Sequence, residues 1–115
     1  MKKKHFDELI EVIVHEVKKT RDEGQEEYAH TKDNVFANFD RVAFVQNLDR
    51  EQVLMTYLLK HIDGIMSYIK GHKSQREDIT GRLKDAIVYL MLLWGMVEEE
   101  RSLLESFTNK KLKDS

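Results

Sequence analysis

Cysteine and proline are absent from this chain, and glycine occurs five times in 115 residues. Without cysteine there is neither a disulfide framework nor a thiolate metal site, which fits a reducing compartment. Without proline, and with abundant Leu, Ile, Glu and Lys, the composition points to an all-α fold. No long apolar run is present. The longest, residues 86–96, is about half the ~20 residues that a membrane-spanning helix needs. The basic start Met1-Lys2-Lys3-Lys4 resembles a signal n-region, but Asp7, Glu8 and Glu11 interrupt the apolar stretch that should follow. Charge of either sign is nearly balanced, 19 Lys and Arg against 21 Asp and Glu, for a net charge of −2. That balance argues against nucleic-acid binding by bulk electrostatics. A soluble cytoplasmic protein with no membrane partner is expected.

What is present is helical periodicity. Phe6, Leu9, Ile10, Ile13, Val14 and Val17 build one apolar stripe along a helix over residues 4–21. Residues 22–32 have weak periodicity and contain Gly24, so a loop with at most a helical turn is expected there. A short second helix should follow Asp33 as N-cap, with Val35, Phe36, Phe39, Val42, Ala43 and Val45, and end near Asn47. Asp49 is the next N-cap signal, opening a helix over 50–70 with Gly71 as its C′ residue. Ser74 and Glu77 form a capping-box pattern for a last helix reaching about residue 107. Residues 1–108 thus form a single four-helix, bundle-like domain, and 109–115 a polar, lysine-rich, frayed tail.

The last helix differs from the others. Residues 86–94 are apolar all round, the pattern of a helix buried on every side. Three other helices, one of them short, can hardly cover it. A homodimer or higher homo-oligomer is therefore expected to complete the cover.

Familiar catalytic templates are missing. There is no His-Glu-x-x-His pair, no glycine-rich phosphate loop, no calcium loop and no serine in a nucleophile-elbow context. What remains is a set of polar residues on packing helices. Asp85 lies on one stripe with Tyr89, Leu92 and Met96. A carboxylate there must be paired, hydrated or bound to a cation, so it is either a metal- or phosphate-site group or one half of an ordinary ion pair. Lys60 and Asp63 share a face with Thr56, Ser67 and Lys70, the composition of a solvated face. If that face lines a cleft opposite Asp85, acids from two helices could hold a hard cation such as Mg²⁺. His61 falls on the apolar side and reads more readily as a hydrogen-bonded core histidine than as a ligand. The stretch from Glu26 and Tyr28 through Asn34, Asn38, Phe39 and Arg41 mixes aromatics, amides and charges. It suits a small-ligand pocket, in which aromatics stack on a base and amides read its edge, or else simply core and helix-start positions.

Four runs, taken in order, resemble a known group. They are Tyr28-Ala29-His30, Asn38-Phe39-Asp40-Arg41-Val42-Ala43, Lys60-His61-Ile62-Asp63, and Gly81-Arg82-Leu83-Lys84-Asp85-Ala86-Ile87-Val88-Tyr89-Leu90. The chain over 26–100 looks like small phage-associated helical proteins related to the MazG-like all-α nucleoside triphosphate pyrophosphatases and nucleotide-modification-associated proteins. The resemblance implies an oligomeric four-helix scaffold on which acids from two helices hold Mg²⁺. Such enzymes cleave between the α- and β-phosphates of nucleotides. Asp63 and Asp85 match the second acid of the family's two acid pairs, whereas Lys60 and Arg82 stand where the first acids belong. Cations there would repel a metal but attract phosphate. Glu26, Glu27 and Glu51 are possible replacements for the missing acids.

Three functions remain open. In a Mg²⁺-dependent nucleotide pyrophosphohydrolase, Asp63 and Asp85 would bind the metal. Lys60 and Arg82 would contact phosphate, and Tyr28, Asn34, Asn38 and Phe39, with Arg41 and Tyr89 nearby in the matched runs, would hold the rest of the nucleotide. The second is a non-catalytic binder that sequesters a nucleotide-derived signal in the host cytoplasm, as a phage counter-defence product would. The third is a purely structural oligomeric module. The first two depend on ionic groups of the third and last helices, Lys60, Asp63, Arg82 and Asp85, meeting in a shared hollow, and would fall if all four were scattered and freely hydrated.

Overall fold

Helix boundaries in this chain are set by a few local hydrogen bonds. A computed structural model describes residues 1–26, 33–74 and 76–113. Four helices run in order, α1 (Lys3–Gly24), α2 (Ala37–Gln46), α3 (Arg50–Ile69) and α4 (Ile79–Lys113), with no strand among the described residues. The all-α, bundle-like class therefore holds. Asp49 and Gln52 close a capping box at the start of α3, where the Asp49 N–H donates to Gln52 Oε1 at 2.9 Å. At the other end, the Gly71 N–H reaches the Tyr68 carbonyl and the His72 N–H the Ser67 carbonyl, a Schellman motif. Gly71 has φ of 110°, which only glycine adopts readily. The end of α2 repeats the motif with Asn47 at φ 55°, Asn47 bonding to Phe44 and Leu48 to Ala43.

Several boundaries depart from the periodicity. At α2 the turn is made by Asn34, whose Oδ1 accepts from the Phe36 N–H at 2.9 Å, so the helix starts at Ala37 and Asp33 is not its cap. At α4 the capping box of Ser74 and Glu77 does not form. Asp78 takes the role instead, its Oδ2 accepting from the Thr80 N–H at 3.1 Å, because Glu77 turns toward α3. Finally, α1 and α4 each run longer than periodicity indicates, α4 taking in residues 109–113 of the polar tail.

Packing is organised around α3 and α4. Helix α2 lies on α3, and α1 on α4. The core joins Phe36, Phe39, Ala43, Val53, Leu54 and Met96, with Leu54 and Met96 fully buried. Gly95 lets Phe36 approach α4, since a Cβ there would meet Phe36 Cζ at 3.0 Å. Arg50 lies 4.8 Å over the Phe36 ring and pairs with Asp40 of α2 and Glu99 of α4, so one guanidinium links three helices.

A single chain does not cover α4. Leu90 and Met91 are each 53% exposed and Trp94 70%. The radius of gyration is 17.9 Å, against about 13 Å for a compact domain of this length. Among the described residues no helix is long and apolar enough to cross a membrane.

Two substitutions probe this frame. Leu54→Ala removes a fully buried side chain between α3 and α4 and should cost about 2–5 kcal/mol in urea unfolding. Asp49→Ala should cost about 1 kcal/mol through the cap alone. A Leu54→Ala midpoint equal to that of the parent would mean that the core is wrongly located.

Candidate functional site

Helix α3 presents Tyr57 and His61 one turn apart, and α4 presents Asp85 and Tyr89 one turn apart. The packing of these two helices brings the four side chains together. The Tyr57 and Tyr89 rings are nearly parallel, with centroids 6.3 Å apart and planes at 13°. Phe39 of α2 meets both edge-on, at 6.2 and 6.3 Å. His61 lies 5.6 Å from Tyr89. The Phe39, Tyr57 and Tyr89 rings line a cleft of about 540 Å³ to which all four helices contribute. Thr20, Arg21 and Glu23 of α1 line one side, with Gln25 just beyond it. Asn38 and Phe39 come from α2, Tyr57 from α3, and Asp85, Val88, Tyr89 and Leu92 from α4. Arg21 donates to Gln25 at 2.6 Å. The lining thus combines apolar and aromatic side chains with a few polar groups, the usual make-up of a small-molecule site.

Next to the cleft is an ionic group. The His61 side chain is 12% exposed and lies between two carboxylates. Its Nε2 is 3.7 Å from Asp85 Oδ2, and its Nδ1 is 4.0 Å from Glu77 Oε2. Both separations are too long for hydrogen bonds. The Nδ1 atom is shielded from solvent and has no hydrogen-bond partner. Arg82 brings a cation to the same place, its Nη1 3.8 Å from Glu77 Oε2 with only 15% of its side chain exposed. Gly64 makes room for it, because a Cβ at position 64 would collide with the guanidinium. Asp85 belongs to both features, lining the cleft and facing His61.

The residues singled out from the sequence divide accordingly. Asn38, Phe39, Tyr89 and Asp85 line the cleft, and Arg82 joins the ionic group through Glu77. Lys60 and Asp63 are exposed with Thr56 and Lys70, outside both the cleft lining and the His61 group, so the expected meeting of Lys60, Asp63, Arg82 and Asp85 does not occur: only the two from α4 are at the site. Asn34 is occupied locally, capping the turn before α2 and donating to Asp40 at 3.1 Å. Arg41 is exposed and donates to Asn38 at 3.4 Å. Glu26 is exposed, and Glu51 pairs with Arg50 at 3.7 Å. Tyr28 and Glu27 lie outside the described residues. Sequence reasoning took His61 for a core residue and Glu77 for a cap, and gave Tyr57 and Gly64 no part in a site. Tyr57 and His61 share a stripe four residues apart with Gly64 three further on, the one pattern in the sequence that joins them.

Compared with protein-family models, with curated proteins and with solved structures, the chain matches none.

The fit of Arg82 over Gly64 can be tested by a change of sign. Gly64→Ala in the parent chain should displace the flexible Arg82 guanidinium and so destabilise by no more than about 1 kcal/mol. In an Arg82→Ala background the same change should stabilise by up to about 1 kcal/mol, as expected for alanine in an open helix. Urea unfolding of the four proteins of the cycle measures the coupling, and purely additive changes would contradict the contact.

Proposed function

We propose that the cleft binds a nucleotide, and that the chain is a MazG-like protein with Mg²⁺-dependent pyrophosphohydrolase activity. The observation that supports this most is the Phe39–Tyr57–Tyr89 cluster lining a cleft of about 540 Å³ together with the Asp85 carboxylate. That volume is within the usual range for small-molecule sites. Aromatic faces stack on any base, and the Asn38 amide is placed to read an edge. Arg21 in the cleft lining, and Arg82 paired with Glu77 next to it, would offer cations to a phosphate chain. Asp85 is the acid best placed to hold Mg²⁺, with Glu77 rather than the exposed Asp63 as its neighbour. A bound Mg²⁺ would supply Lewis-acid activation of water for attack on phosphorus.

The replacement of two family acids by Lys60 and Arg82 favours a second reading of the same cleft, in which the nucleotide-derived ligand is held but not cleaved. The two differ in what is recovered. After incubation with Mg²⁺, a hydrolase returns a monophosphate and pyrophosphate, whereas a sequestering protein returns intact ligand on denaturation. Calorimetry against the common ribo- and deoxynucleoside triphosphates should show binding that Tyr57→Ala and Tyr89→Ala each weaken about tenfold or more. Asp85→Asn should abolish cleavage and leave much of the base contact intact. No binding of any of these nucleotides at millimolar concentration would remove the reading and leave the oligomeric structural module.

The uncovered surface of α4 supports a homodimer. Leu90, Met91 and Trp94 give a second copy an apolar strip to pack on, larger than a lone chain keeps in water without cost. Light scattering should give twice the 13.6 kDa chain mass, and Trp94→Glu should return the monomer. A monomeric parent chain at high concentration would contradict this. The site of action that fits is the cytoplasm, that of the host if the gene is carried by a phage.

A further inference from the structure

From the arrangement around His61 we infer a site for a borderline divalent transition-metal cation, such as Zn²⁺, Co²⁺ or Mn²⁺, formed by His61, Glu77 and Asp85. The three residues come from three places, α3, the connection before α4, and α4 itself. One donor atom from each lies within 4.8 Å of the other two.

The geometry is close to that of a bound site. Tetrahedral ligands at about 2.1 Å from an ion are about 3.4 Å apart, whereas one donor atom from each of the three residues lies within 4.8 Å of the other two, so closing on an ion takes side-chain rotations and no movement of the helices. Asp85 and Glu77 are 38% and 49% exposed, on side chains free to make that adjustment.

The second observation is independent of distance. The buried Nδ1 of His61 has no hydrogen-bond partner, an arrangement that folded proteins normally avoid. A bound cation resolves it. The ion would take one ring nitrogen of His61 and draw both neighbouring carboxylates to it. Arg82 offsets one of the two carboxylates and holds Glu77 in place, and a neutral imidazole then leaves one excess negative charge to attract a dication.

The donor set selects the class of metal. Mg²⁺ and Ca²⁺ favour all-oxygen surroundings, whereas one imidazole with two carboxylates suits first-row transition ions and Zn²⁺. Three protein ligands leave a coordination position free, and Asp85 places that position at the wall of the cleft. The site requires no nucleotide, but it shares Asp85 and Glu77 with the proposed Mg²⁺ site, so a preference for Co²⁺ over Mg²⁺ would change the metal of that reading, whereas nucleotide binding is decided separately by calorimetry.

The test uses the full-length protein, stripped with chelator and titrated with Co²⁺, Zn²⁺ or Mg²⁺ alone. One Co²⁺ per chain should bind with a visible absorption band of nitrogen–oxygen coordination, and Zn²⁺ should displace it. Mg²⁺ should bind at least about a hundredfold more weakly. His61→Asn, Glu77→Gln and Asp85→Asn should each weaken Co²⁺ at least about tenfold, whereas Glu105→Gln, far along α4, should not. Asp85 and Glu77 are exposed enough for their variants to fold, and matching circular dichroism and melting curves would verify it. Equal affinity for Mg²⁺ and Co²⁺, or Co²⁺ binding indifferent to all three substitutions, would overturn the assignment.

Discussion

The contact between α3 and α4 is the constraint from which the rest of the molecule follows. Burial of Leu54 against Met96 sets the relative position of the two helices, and with it the register of every polar group they carry. At one end of that contact the apolar core closes over Phe36 and Phe39. Toward the other, the same register places His61 against Asp85 and Tyr57 against Tyr89. Core and candidate site are thus two stretches of one interface. Disturbance of the core would be felt at the ionic group through rigid helices rather than through any chain of polar contacts.

The polar groups of that interface are held by shape as much as by charge. The Arg82 guanidinium lies in the space that a side chain at Gly64 would fill. Its pair with Glu77 is long, and an isolated pair at such a distance contributes little to stability. Its effect is to draw the connection before α4 toward α3 and to keep a carboxylate beside His61. Arg50 does the comparable work at the opposite end, where it joins three helices over an aromatic ring.

Much of this architecture was legible in the residue pattern, and the reasons are local. Apolar spacing marks α1, α3 and α4, and Asp49 and Gly71 announce the two ends of α3 because caps depend on residues a few positions apart. The failures have one cause: long-range competition for a side chain. Glu77 has the spacing of a capping partner for Ser74, yet Arg82 and His61 attract it and Asp78 takes the cap. His61 lies on the apolar face as its position requires, but no period reveals that carboxylates from two other segments converge on it. Lys60 and Asp63 share a solvated face, and the face decided their environment more than the motif did. Asp85 was identifiable because a carboxylate on an apolar stripe is anomalous within the helix itself.

The two helix ends that share the Schellman motif differ in how much change they would tolerate. Asn47, at φ 55°, occupies a conformation that asparagine, aspartate and glycine all reach at modest cost. Gly71, at φ 110°, lies beyond it, in territory where any Cβ crowds the backbone. Evolutionary drift at these two punctuation marks is therefore unequal. The hinge between α2 and α3 can be respelled, while the exit from α3, which aims the connection bearing Glu77, admits a single letter.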